Sequence, residues 1–329
     1  GGVALFVVVA CTWMVMLFVG AAQDYASVVA AFFIGNVLSL VAALGLGGTF
    51  GAPGYLGGFT LGQAATLFVL AARVEREFPE SAMRSPWPVV RAFRRFASLA
   101  IGGLLYNLAI SIDRLVFWAS PEGFRVRSWF YASAYDAPLF LAYLSVVPAL
   151  AVFLVTVEMD FYERCRRYYG VVTQHGTLRQ VLEAKAGVAK SLRDSLGRLA
   201  IVQVPVTLGL ILLAPQAARI LTLEPIQIAI LRAALIGAAL HILTMFETIV
   251  LLYFDRRRAA AEVAGVFFAG NALFTVASLA LGPRFYGHGY AVAGLVACLW
   301  AYVLLEQTFE DLEYLTFAGQ PLSPVSAST

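Results

Sequence analysis

The chain reads as an all-α polytopic membrane protein, and three observations carry that expectation. Its 329 residues are 60% hydrophobic and only 13% charged, with a mean hydropathy of +0.80. A soluble domain has about a quarter of its residues charged, so composition alone excludes that class. The apolar residues gather into runs of about 20, the length at which a helix crosses the hydrocarbon core. Most of the basic residues fall in every second connection between those runs; only Arg125, Arg127, Arg219 and Arg284 lie in the others, with Arg114 and Arg232 inside spans. The three cysteines, Cys11, Cys165 and Cys298, offer neither a disulfide framework nor a metal spacing.

Nine runs qualify as spans: 3–20, 27–45, 55–72, 96–118, 137–158, 199–214, 227–253, 262–282 and 289–306. All should be helical, because in lipid only a helix or a closed barrel satisfies its own backbone groups. The first three are nearly uncharged, with Asn36 their one notable polar residue. Gly58 and Gly62 form a GxxxG pair at the start of the third, which favours close approach of a neighbouring helix.

Residues 73–95 change character, with several charges and prolines at 79, 86 and 88. They read as a linker ending in a basic amphipathic stretch that suits an anionic leaflet. The fourth span then carries Asn107, Ser111, Asp113 and Arg114, and ionisable groups at that depth are costly unless they face a cavity or a partner. Asn107, Ser111 and Arg114 share one helix face, and Asp113 lies about 100° away from Arg114. A cavity-facing role is expected; snorkelling towards an interface marked by Trp118 is the structural alternative.

Within 159–198, Thr177 and Gln180 have capping-box spacing, and apolar residues recur at helical intervals behind them. An interfacial helix with a basic margin is expected. Arg164, Arg166, Arg167, Arg179 and Lys185 would then dock a cytoplasmic partner, or merely anchor the helix on lipid. Pro148 and Pro205 should kink the fifth and sixth spans. Gln203 and Asn271 read as interhelical hydrogen-bonding residues.

The seventh span holds Arg232, His241, Thr244 and Glu247, the last three within an arc of about 120°. Such an arc can line a water-filled path, or form a structural network in which Arg232 pairs with Asp113. Residues 307–329 read as a tail, disordered from 319. No P-loop, HExxH or GxSxG motif is present, so neither enzymatic activity nor a cofactor or metal is expected.

The loops set orientation. Arg73, Arg76, Arg84, Arg91, Arg94 and Arg95, the basic residues of 159–198, and Arg256, Arg257 and Arg258 all lie in odd-numbered connections. By the positive-inside rule those connections and the C-terminus are cytoplasmic. A chain that starts outside and lacks an initial Met reads as part of a longer protein. Three further spans would make twelve, in two lobes: 1–72 the last three helices of the first, 73–95 the interlobe linker, 96–306 the second six-helix lobe with 159–198 as a cytoplasmic insertion.

The runs YNLAISIDRLVFWASPEG (106–123), FLVTVEMDFYERCRRYYG (153–170), GTLRQVLEAKAGVAKSLRDSLGRL (176–199) and LLYFDRRRAA (251–260) resemble those of the PelG family. That family is part of the multidrug/oligosaccharidyl-lipid/polysaccharide flippase superfamily, and the resemblance spans about residues 1–317. It implies a MATE-like two-lobe fold in the bacterial inner membrane. It also implies translocation of a galactosamine-type exopolysaccharide, the Pel biofilm polymer, in company with the glycosyltransferase PelF and the membrane proteins PelD and PelE. On that reading Asn107, Asp113 and Glu247 would bond sugar hydroxyls, while Arg114 and Arg232 keep the carboxylates ionised. Two other readings stand beside it: a cation-coupled exporter of small molecules or lipid-linked oligosaccharides, and a non-transporting scaffold of a synthase complex.

Overall fold

The computed structural model describes residues 2–22, 24–78, 87–126, 129–174 and 176–317. Among the described residues, nine helices are long and apolar enough to cross a membrane, one at each predicted run. The middle of the linker (79–86) and the end of the tail (318–329) lie outside the described residues. The chain divides into two compact units, Gly1–Val90 and Arg91–Thr329.

In the first unit α1 (Gly2–Ala21), α2 (Tyr25–Phe50) and α3 (Ala52–Glu77) run up, down and up. Only Gly51 separates α2 from α3, and its φ of 63° lies in the left-handed region that glycine enters without penalty. The GxxxG expectation is met. A Cβ on Gly58 would collide with the Ala42–Ala43 backbone, and one on Gly62 with Ser39, so the two helices touch through backbone. At the opposite end Asp24 caps α2, accepting from Ser27 N at 3.1 Å and Ser27 Oγ at 2.6 Å. Arg73 Nε of α3 donates to the same carboxylate at 2.6 Å. The Ser27 bonds, and then Arg73, hold the Asp24 carboxyl below its ordinary range.

The basic stretch at the end of the linker forms α4 (Trp87–Arg95). The second unit then runs through α5 (Ala97–Ala119), a hairpin of β1 (Phe124–Val126) and β2 (Trp129–Tyr131), α6 (Ser133–Leu144), α7 (Val147–Val155), a π-helical turn (Thr156–Phe161), α8 (Tyr162–Thr173), α9 (Leu178–Ile220), α10 (Pro225–Tyr253), α11 (Arg257–Leu281), α12 (His288–Glu310) and the short α13 (Leu312–Phe317). Helix α10 is the centre: Ile230, Ala234, Leu235, Ala238, Phe246, Val250 and Leu251 are all buried, as for a helix that is apolar on every side. Around it stand α6, α9 and α12, with α11 on α12 and α5 on α11. Small residues make the contacts close; a Cβ on Gly237 would strike the Tyr290 ring, and one on Gly289 the Phe274–Thr275 backbone.

The ends of these helices meet as an alternating set of spans requires. At one end Tyr286 donates to Glu122 at 3.0 Å and Gln227 Nε2 to the Ser133 carbonyl at 2.8 Å. At the other, Arg198 meets Asp160 at 2.7 Å, Lys185 meets Glu313 at 2.6 Å, and the Arg257 guanidinium lies 4.6 Å from the centre of the Phe96 ring. The first is the hairpin end and the second the arginine-rich end.

Several expectations need correction. The helix after Thr177 and the sixth span are one helix of 43 residues, about 65 Å long, rather than an interfacial helix joined to a separate span. Its start carries the predicted capping box, with Gln180 N to Thr177 Oγ1 at 3.4 Å and Thr177 N to Gln180 Oε1 at 2.8 Å. Nothing between Leu196 and Leu199 stops it, because one glycine in a helix costs only about 1 kcal/mol against alanine. Pro205 and Pro215 lie inside this continuous helix, and Pro148 marks a break between α6 and α7. Gln203 does not bridge helices; its Nε2 bonds Thr207 Oγ1 one turn along. Asn271 does, donating to the Ala109 carbonyl at 2.8 Å and accepting from Thr275 at 3.1 Å.

Candidate functional site

A column of polar side chains runs through the second unit between α5, α6, α10 and α12. Nearest the hairpin, Asp136 near the start of α6 accepts from Trp118 Nε1 at 3.0 Å and from Ala132 N at 2.8 Å, pinning α6 to the end of α5. One turn deeper Asp113 is fully buried. Its carboxylate accepts the Tyr135 hydroxyl at 2.8 Å and the Arg114 backbone N–H at 2.9 Å. Phe117 stacks on Tyr135 with ring centres 3.8 Å apart, fixing the hydroxyl that serves Asp113.

Arg114 turns the other way, its guanidinium 5.1 Å from the centre of the Tyr143 ring. Its Nε is buried without a hydrogen-bond partner among the described residues. Below it lies a chain of four groups. Tyr143 donates to the Ile110 carbonyl at 3.0 Å, and the Tyr290 hydroxyl bonds that of Tyr143. His241 Nδ1 is 3.1 Å from the Tyr290 oxygen, and its Nε2 is 2.7 Å from the Tyr106 oxygen. A carbonyl cannot donate, so Tyr143 must give its proton to Ile110, Tyr290 to Tyr143, and His241 Nδ1–H to Tyr290. A neutral imidazole then accepts from Tyr106 at Nε2. Every member is satisfied in this one ordering, which assigns the tautomer.

Towards the arginine-rich end, Thr244 and Glu247 on α10 face Cys298 of α12 within hydrogen-bonding reach. Thr244 Oγ1 also donates back to the Leu240 carbonyl at 2.9 Å. Glu247 Oε2 is buried with no hydrogen-bond partner among the described residues, an unusual state for a carboxylate oxygen in a helical bundle.

Of the residues singled out in sequence, Asp113, His241, Thr244 and Glu247 therefore enter one column, with Ser111 and Arg114 half-buried beside it. Asn107 does not; it is exposed and its Nδ2 returns to the Gly103 carbonyl at 2.8 Å. Arg232 is not the partner of Asp113. It lies exposed on the far side of α10, its Nε 3.3 Å from the Ile211 carbonyl of α9. The four tyrosines 106, 135, 143 and 290 were not signalled, since a phenol inside an apolar run reads as one more hydrophobe. In the insertion, Arg164, Arg166 and Arg167 are exposed on α8, and Arg179 pairs with Glu183 one turn on at 2.9 Å. Lys185 is committed to Glu313 of α13. The buried thiol of Cys165 on α8 is pushed up to about 12 by desolvation.

No curated protein and no solved structure matches the chain. One family model does, PelG, described as "Putative exopolysaccharide Exporter (EPS-E)", over residues 2–317. Nine apolar helices and a polar column accord with a multi-pass transporter, and a match over nearly the whole chain places it: the chain belongs to the PelG family of exopolysaccharide exporters.

Proposed function

We propose that the protein carries a galactosamine-type exopolysaccharide, the Pel polymer, from the cytoplasm to the periplasm for a biofilm matrix. The observation that carries the reading is the family match along residues 2–317. The polar column supports it. Asp113, Arg114, His241, Thr244 and Glu247 are polar groups of the spans in 96–306 that are buried or half-buried in the bundle. Hydroxyl-rich sugar units need donors and acceptors in compensation for lost water, and the Asp113–Tyr135 and Tyr106–His241–Tyr290–Tyr143 sets supply both. Asn107 and Arg232, exposed on the second unit, would contribute only where another surface closes over them.

On this reading 1–72 and 96–306 belong to two lobes, the arginine-rich end and the C-terminus face the cytoplasm, and export proceeds towards the hairpin end. The exposed Arg164, Arg166 and Arg167, with Arg179 and the Lys185–Glu313 pair near by, form the surface that meets PelF, PelD or PelE. The test is polymer secretion by cells carrying Asp113→Asn, with protein level followed by blot. Secretion should fall at unchanged protein level, because an amide cannot accept from both Tyr135 and the Arg114 N–H as the carboxylate does. Unchanged secretion would remove Asp113 from the path.

A further inference from the structure

An apolar slot of about 290 Å³ opens between α5, α10 and α11 in the arginine-rich half of the second unit. It exists because α5 and α11 present small residues there, Gly102 and Gly103 against Ala260, Ala261 and Ala264, while Met245, Ile249 and Leu252 of α10 form its floor. One of its few hydroxyls, that of Thr248, is committed to the Thr244 carbonyl at 2.7 Å. From Leu252 to Met245 it runs about 10 Å along the helix axes, closing on Tyr106. At its other end it meets Arg257 and Ser98, which it shares with a polar recess of about 440 Å³ lined also by Asp255, Arg256, Arg258 and Glu262.

We propose that this pair of cavities binds one anionic phospholipid, an acyl chain in the slot and the phosphate in the recess. Charge selects the occupant. Three consecutive arginines face two carboxylates in the recess, and Asp255 is already paired with Arg257. Among the described residues Arg256 and Arg258 have no acidic partner within salt-bridge distance, so a phosphate meets their charge. A predominantly apolar slot ending at a cationic recess at the level of the helix ends is the form of an intramembrane lipid site, and suits neither a sugar nor a soluble anion. Arg257, held on Phe96 and Asp255, is the hinge post between tail and head. The inference goes beyond export and stands or falls apart from it.

The test is native mass spectrometry of the protein reconstituted in discs containing equal phosphatidylglycerol and phosphatidylethanolamine, counting lipids retained after gentle release. The wild-type protein should keep one phosphatidylglycerol in preference to phosphatidylethanolamine. Arg256→Gln with Arg258→Gln should lower that preference by roughly fivefold per arginine, leaving Arg257 and its contacts in place. Gly103→Phe should abolish retention, because a Cβ at Gly103 meets nothing within 4 Å and the ring is free to fill the slot. If Gly103→Phe does not fold, the arginine pair decides alone. Equal retention of the two lipids, retention of phosphatidylglycerol unchanged by the arginine variant, or a different molecule in the slot would overturn the proposal.

Discussion

At the scale of single residues, the sequence exposes charge and conceals phenols. Asp113, His241 and Glu247 stand out because an ionisable group in an apolar run needs a reason to be there, and all three turn out to face the bundle. Arg232 stands out by the same rule and yet faces outward, since a long guanidinium stem reaches a neighbouring carbonyl from the helix surface. What makes a column of these groups is the set of tyrosines, whose partners lie on other helices and so leave no trace in local spacing. The His241 ring shows the consequence. Tyr106→Phe and Tyr290→Phe each leave one buried imidazole nitrogen without its bond, and each should cost about 1–3 kcal/mol in thermal unfolding of the detergent-solubilised protein. The double variant should cost less than their sum, because the two bonds depend on one ring orientation and one tautomer. Additive losses would mean that the two hydroxyls act independently and the ordered chain is wrong.

At the scale of elements, length and polarity locate all nine spans, while their ends and joins depend on contacts the sequence does not announce. Helix α9 absorbs a predicted boundary because Gly197 is too weak a breaker to end it. The three-residue strands 124–126 and 129–131 are too short for an alternation to register, and the π-helical turn Thr156–Phe161 has no propensity signature of its own. The corner of α1, α2 and α3 is legible only afterwards, through Asp24. Its carboxyl titrates below the unfolded value, chiefly through Ser27 and then through Arg73. A group lowered on folding contributes stability that is present above its unfolded pKa, about 3.9, and lost as pH falls through the folded one. The protection factors of the backbone amides at the start of α2, residues 25–29, taken against the intrinsic exchange rate at each pH, should therefore fall on acidification below about pH 4. Asp24→Asn should remove that pH dependence while keeping a capping side chain. Protection factors in the wild-type protein that do not change on acidification would show that the cap and the Arg73 pair contribute nothing there.

At the scale of the whole molecule, orientation is the property on which direction of transport rests. Within the second unit the connections do alternate between two ends, and the arginines of α8, of early α9 and of the turn before α11 gather at one of them. The first unit obeys the same pattern, since Arg73 at the end of α3 reaches Asp24 at the start of α2. Insertion favours holding such basic connections on the cytoplasmic side. Two cysteine probes read this out. Pro121→Cys, exposed beside the hairpin, should react with a membrane-impermeant thiol reagent in intact cells. Glu183→Cys, exposed on early α9, should react only after the membrane is opened. The native Cys165 is buried with its thiol held protonated, and Cys11 and Cys298 lie within the spans α1 and α12, so none of the three competes with the probes in water. The reverse pattern would turn the column end for end, placing the exposed arginines of α8 where no cytoplasmic glycosyltransferase could reach them. Polymer would then have to enter beside Asp113 rather than leave there.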